Sequence, residues 1–265
     1  LENVLNKEIK KIIDDCPEVG RILEEYGIGC VPCSVGSCLL KDVVGIHNLD
    51  PEREATLMYR IEKAIYPDRN VSKPVIDASK KSAPKKITYS PPVKKLVDEH
   101  VLIKRLLALV PTIVDYIESS MKVDKDLVLK CVDFIRTYAD KYHHMKEEDI
   151  LFKYVDDKAE VIQVMYKDHD TGRGYIRQVV EGAETGNKAQ IKQNLLAYRE
   201  LLTQHIKKED EILYPWIDRQ LSTTQVGEMF RKCNEADASV GEELPKKYER
   251  FITDLEGKFL QEVVK

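Results

Sequence analysis

Two ten-residue segments of the chain are near-copies of one another, and they restrict the fold more than any other feature. The first runs from His143 through Glu147 to Phe152, and the second from His205 through Glu209 to Tyr214. Aligned on Ile150-Leu151-Phe152 and Ile212-Leu213-Tyr214, both read His-x-x-x-Glu. On a helix that spacing puts imidazole and carboxylate on one face, one turn apart, where they can offer a nitrogen and an oxygen to one metal ion. An exposed pair at the same spacing is worth only about 0.3–0.5 kcal/mol. The position of each pair on its helix therefore decides its meaning.

Both pairs fall inside apolar stripes. One seam runs through Ile191, Leu195, Tyr198, Leu202, His205, Glu209, Ile212 and Trp216 in steps of four and three. Another runs through Val128, Val132, Ile135, Ala139, His143, Glu147, Ile150 and Tyr154. Two further seams carry one histidine each: His100 between Leu96 and Ile103, and His169 between Met165 and Ile176. Four amphipathic helices thus turn a histidine inward and two add a glutamate. A buried carboxylate costs several kcal/mol unless it is paired or bound to metal, so a solvated-face reading fails.

Heights along the helices agree. The expected fold is all-α, an up-down four-helix bundle in which neighbouring ligands lie equally far from the loop that joins their helices. His100 and His143 each lie about twenty residues from the Ser119–Asp124 turn. Glu147 and His169 are each about ten residues from a turn near Asp157. His169 and His205 are each about seventeen or eighteen from the Gly186-Asn187 turn. The six groups converge on one layer, a histidine–carboxylate site for two metals, with iron the metal that suits it.

Residues 93–218 resemble a hemerythrin-like (HHE) domain, and within it the di-iron proteins that repair iron–sulfur clusters (the RIC family). The motifs that carry the resemblance are the isolated His100, His143-x-x-x-Glu147-Glu148, His169-x-x-Gly172-Arg173 and His205-x-x-x-Glu209. The resemblance implies a di-iron centre held by His100, His143, Glu147, His169, His205 and Glu209, with both glutamates bridging. It implies an oxidoreductase acting on nitric oxide, oxygen or damaged iron–sulfur proteins with the help of an electron donor. The alternative is a hemerythrin-like protein that binds oxygen or nitric oxide reversibly, as a carrier or sensor.

Oxygen-carrying hemerythrins have a second histidine one turn after the third-helix histidine, where this chain has Arg173. They also use a carboxylate five residues after the last histidine, here Asp210, whereas the internal repeat and the stripe favour Glu209. With four histidines the irons are expected to keep open positions. His144, about 100° around the helix from His143, is expected outside the seam, beside the centre or at the surface and not as a ligand. Gly172 leaves room for a small ligand or permits close helix packing.

Outside the bundle, residues 1–66 are expected to form a small helical unit around Cys30-x-x-Cys33 on a glycine-rich loop, with Cys38 as a third thiolate and Cys16 as a fourth. These cysteines hold an iron–sulfur cluster or zinc, act as a dithiol, or are inert. Short cysteine-bearing domains of this kind resemble those fused to di-iron repair proteins. His47 has no carboxylate at helical spacing and reads as a loop or cap residue. Residues 67–92, rich in proline and lysine, read as a linker. Residues 219–265 read as two further helices, one with Val226, Phe230 and Cys233 on a face and one beginning at Pro245, that add a layer or a homodimer interface. No chemistry is expected in them. A net charge of −4 gives no electrostatic case for nucleic acid. No apolar run approaches about 18 residues and no signal peptide opens the chain, so no membrane partner and a cytoplasmic location are expected.

Overall fold

Among the described residues every extended element is helical, as the periodicity predicts, and no strand forms. The computed structural model describes residues 2–28, 39–41, 49, 51–69, 71, 74 and 88–260. The N-terminal unit has α1 (Glu2–Leu5), α2 (Ile9–Asp15), α3 (Pro17–Glu25) and α4 (Pro51–Ile65). Pro17 opens α3 at its first position, and Gly27, at φ 76°, follows its end. Ile9, Ile12, Val19, Leu23, Leu57 and Ile61 give this unit a core of its own. Cys16 is half-buried against that core, with its thiol 3.6 Å from the Ala64 carbonyl oxygen. Cys30, Cys33, Cys38 and His47 lie outside the described residues, as does most of the expected linker.

The bundle begins two residues before the expected boundary. Pro91 and Pro92, read above as linker, are the first residues of α5 (Pro91–Ser119), because proline needs no hydrogen-bond acceptor in a first turn. The second bundle helix is composite: α6 (Lys125–Phe134), a π-helical segment Ile135–His144, and α7 (Met145–Asp149). Then follow α8 (Glu160–Thr185) and α9 (Lys188–Lys208), the latter continued by a second π-helical segment, Glu209–Leu213, and by α10 (Tyr214–Gln220). Asp124 caps α6 through the amide of Leu127, and Asn187 caps α9 through that of Gln190. Gly186, at φ 72°, supplies the left-handed turn between α8 and α9.

Two apolar cores fill the bundle. One is built from residues such as Ile103, Val110, Val128, Ile135, Ile176 and Leu202, and the other from Val93, Leu96, Phe152, Ile162, Met165 and Tyr214. On each bundle helix the inward histidine falls between residues of the first core and residues of the second, so the polar layer is sealed by hydrocarbon on both sides. Ile212 and Trp216, expected in the fourth seam, are only half-buried, and Leu213, Tyr214 and Ile217 are buried instead. The π-helical segment explains this shift. Its i→i+5 bonds add a residue to the turn and move every later side chain on by one position.

The C-terminal residues form α11 (Thr223–Val240) and α12 (Glu243–Leu260). Ser222 and Gln225 make a reciprocal capping box at the start of α11. Met229 and Cys233 are its buried residues, whereas Phe230, expected on the same face, is 38% exposed beside the Lys95 ammonium. In α12, which starts two residues before Pro245, Tyr248, Ile252, Leu255 and Phe259 complete the first core.

Candidate metal centre

The four seam histidines and both glutamates meet in one layer, and all six are almost completely buried. His205 Nε2 lies 3.0 Å from Glu209 Oε1, and His100 Nε2 lies 3.4 Å from Glu209 Oε2. Glu147 Oε2 lies 3.4 Å from His169 Nε2 and 3.8 Å from His143 Nε2. Each glutamate therefore stands between a histidine of one pair and a histidine of the other. Asp210 sits outside this ring, against His100 Nδ1.

Every Nε2 faces the centre because every Nδ1 is already committed. His100 Nδ1 donates to Asp210 (2.7 Å), His143 to Glu99 (2.8 Å), His169 to Glu148 (2.7 Å) and His205 to Asp168 (3.3 Å). A carboxylate only accepts, so it fixes the proton on Nδ1 and leaves Nε2 a lone pair for a ligand. Each carboxylate is held in turn by a cation: Asp210 by Lys104, Glu99 by Lys146, Glu148 by Arg173 and Asp168 by Lys208. Arg173 also binds Asp140 and Asp170. At the position where a further histidine would ligate, this chain uses an arginine to hold the outer carboxylates.

The inner atoms are left without partners. His100 Nε2, His143 Nε2, Glu147 Oε2 and both Glu209 oxygens are buried with no hydrogen bond. Leaving that many polar atoms unmet would cost several kcal/mol, whereas cations seated among them satisfy all at once. His169 Nε2 and His205 Nε2, 3.0 Å apart, likewise require a proton or another cation between them. Two groups have ligand atoms close enough to share an ion: His100, His143, Glu147 and Glu209, and His144, Glu147, His169 and His205. The donor set of imidazole and carboxylate suits iron or zinc.

His144, expected outside the seam, is buried in the same layer. It is 4% exposed and stacks on the His169 ring at 3.9 Å with an 11° interplanar angle. The π-helical segment that ends at His144 changes the helical phase that the 100° rotation assumed, and brings adjacent histidines into one layer. Sequence reasoning also missed the outer groups. Lys146 is fully buried, with its ammonium against Glu99, 2.8 Å from Asp237 and over the Tyr142 ring. Asp237 comes from α11, so a C-terminal helix supplies one partner of this outer network. Tyr214 stacks on His100 and donates to Glu147 Oε1. The available signals were an acid directly before two of the inward histidines, Glu99-His100 and Asp168-His169, and the aromatic that ends each repeat.

Electrostatics follow the same plan. Burial works against charge on His100 and His205, yet the carboxylates around them, Asp210 and Glu209 for the first and Glu209 and Asp168 for the second, raise both to about 9. Burial drives His143 well below its ordinary value and His144 down to about 4. Burial also opposes the Glu147 carboxylate, but His143 and His169 hold its carboxyl well below the usual range.

Above this layer a cavity of about 320 Å³ reaches inward to His144 and His169, with Gly172, Ile176 and Tyr198 on its walls. A Cβ at Gly172 would meet Leu202 and Tyr198 at 3.4 Å, so this glycine serves close helix packing as well as lining the cavity. No helix among the described residues is long and apolar enough to cross a membrane. Cys131 and Cys233 are buried packing residues whose thiols burial pushes up to about 12 and about 11.

Residues 92–217 match the family described as Hemerythrin HHE cation binding domain. Comparison with curated proteins and with solved structures gives no match. The bundle, with its buried histidines and glutamates, is a hemerythrin-like metal-binding domain.

Proposed function

We propose that the bundle holds two non-haem irons, one near His100 and His143 and one near His169 and His205, with Glu147 and Glu209 between them. The observation that carries this reading is the placement of each glutamate between the two histidine pairs. Iron bound there would supply one-electron redox chemistry and sites for nitric oxide or oxygen. The protein's own residues orient the imidazoles through the outer carboxylates, exclude water with two apolar cores, and admit small molecules from the cavity side. We assign the protein to the response to nitric oxide or oxidative stress, in repair of damaged iron–sulfur proteins or in reduction of nitric oxide or oxygen. The N-terminal cysteines would serve that role by passing electrons or iron, and the unit bearing them is a separate domain.

His144 favours a second reading. If it ligates the ion beside His169 and His205, that position has three histidines and the other two, an asymmetry suited to reversible oxygen binding. The stack argues against it. An ion bound by two imidazoles lies close to both ring planes, and rings stacked in parallel at 3.9 Å share no such point. His144 is thus a neighbour of the centre and not a ligand. The test is iron content after anaerobic reconstitution. His143→Ala and Glu209→Ala should lose most iron and His144→Ala should keep both ions. Loss of one iron in His144→Ala would establish the asymmetric centre. Cycling the diferrous protein through air separates the roles: irreversible oxidation supports reduction, and recovery over many cycles without reductant supports a carrier.

A further inference from the structure

Four carboxylates steady the four inward histidines, and three of them are held by cations that reach water. Lys104, Arg173 and Lys208 are exposed or half-buried, and all three lie within the matched residues 92–217. Lys146, which holds Glu99, differs because its side chain is shut off from solvent. A buried ammonium needs its charge matched by the protein itself. Glu99 matches it from one side, and Asp237 supplies the second carboxylate at 2.8 Å. Asp237 belongs to α11 and lies well past Ile217, where the family match ends.

From α11 the contacts run without a gap to the metal position. Lys146 Nζ donates to Asp237 Oδ1 and to Glu99 Oε1, and His143 Nδ1 donates to Glu99 Oε2 at 2.8 Å. On the far side of that ring, His143 Nε2 is one of the buried atoms that face the centre without a partner. The hydrogen bond at one imidazole nitrogen orients the ring and sets how strongly the other nitrogen donates to a metal. Glu99 makes that bond more strongly the less Lys146 neutralises it, and Asp237 draws the same ammonium the other way. Met229, Cys233 and Asp237 follow in steps of four, so the acid continues the buried face of α11 and is fixed by its packing. Among the described residues no α11 side chain joins the outer contacts of His100, His169 or His205.

We propose that Asp237 is a positioning residue for the iron beside His100 and His143, so that α11, outside the matched domain, tunes one iron of the pair and not the other. The inference rests on the metal reading above and adds to it the part of the chain that sets the properties of one half of the centre. Without the Asp237 charge, Lys146 turns wholly to Glu99, Glu99 holds the His143 Nδ1 proton less strongly, and Nε2 becomes the weaker donor.

The experiment uses the full chain, titrated anaerobically with Fe(II) against a competing chelator, for the wild type, Asp237→Asn, Asp237→Glu and Ser222→Ala. Asp237→Asn keeps the shape and removes the charge; it should weaken one of the two irons about tenfold and leave the other within about twofold. Asp237→Glu restores the charge and should recover most of that loss. Ser222→Ala loosens the same helix at its capping box, far along it from Asp237, and should leave both affinities unchanged. With excess iron, the oxidised Asp237→Asn protein should show one Mössbauer quadrupole doublet altered and the other at its wild-type position. Should Asp237→Asn fail to fold, Lys95→Met, which takes away the second cation of Asp237, should alter that same doublet alone. Unchanged affinities and doublets, equal weakening of both irons, or a loss matched by Ser222→Ala would overturn the proposal and leave Asp237 as a packing anchor. A wild type that takes up no iron pair would instead overturn the metal reading beneath it.

Discussion

Lys146 offers the most demanding test of how the centre is supported. Its ammonium is fully buried between Glu99, which accepts from His143 Nδ1, and Asp237 of α11. Lys146→Met preserves much of the side-chain volume and removes the charge. It leaves Glu99, only 8% exposed, with no cation, while Asp237 keeps Lys95 at 2.8 Å. Breaking a buried pair from one side costs about 3–5 kcal/mol, and the remaining partner of Asp237 points to the lower end, about 3 kcal/mol. Burial already pushes the Glu99 carboxyl up to about 7, so part of the cost can be met by its taking a proton. Trp216 is the one tryptophan of the chain and lies in α10, so its fluorescence reports on the bundle. With a urea slope of about 2–3 kcal/mol per molar, the apo-protein midpoint should fall by about 1–1.5 M. Glu99→Gln removes the stranded charge and keeps an acceptor for His143. The double variant Lys146→Met/Glu99→Gln should therefore recover at least about 1 kcal/mol relative to the sum of the single changes. Strict additivity, or a Lys146→Met cost below about 1 kcal/mol, would refute the buried network as the support of His143.

Other outcomes follow from the same geometry. Tyr214→Phe keeps the stack on His100 but removes the hydroxyl that donates to Glu147; bundle iron should be retained with a stability loss of about 1–2 kcal/mol in urea unfolding. Gly182→Ala places a Cβ 2.9 Å from Ile191 Cγ1 and 3.1 Å from the Asn187 carbonyl, so it should destabilise by about 1–3 kcal/mol, whereas Gly172→Ala, at 3.4 Å from two side chains, should be tolerated. His100 and His205 are raised from 6.5 to about 9 in the metal-free fold. Their contribution to apo stability is then full below about pH 6.5 and is lost as pH rises through about 9. Metal uptake must displace these protons, so a pH-stat should record proton release on loading, and apparent affinity should climb with pH across that window.

The fold was legible because its four seams have a period of 3.6 with few interruptions, and every residue named in the first and third seams is buried. The six inward ligand candidates were legible for the same reason. Departures begin where the period changes. The segments Ile135–His144 and Glu209–Leu213 are π-helical, and there a fixed 100° step misplaces His144, Ile212 and Trp216. No residue type announces an i→i+5 turn, although both occur at the repeated His-x-x-x-Glu motifs. The outer carboxylates were hidden because their partners lie on other helices. Glu99 serves His143 on the next bundle helix, while Asp210 serves His100 from more than a hundred residues away. Lys146 reads as one more charged residue in a polar decapeptide until Asp237 and Glu99 are seen to enclose it.

In the proposed centre Glu147 and Glu209 bridge two irons. Low-temperature Mössbauer spectroscopy of the oxidised, iron-reconstituted protein tests it most directly, because two ferric ions joined by bridging ligands couple to a diamagnetic ground state. A bridged pair should give about two irons per chain, with quadrupole doublets free of magnetic splitting in a weak applied field. One iron per chain, or magnetically split spectra of isolated high-spin ferric ions, would contradict it.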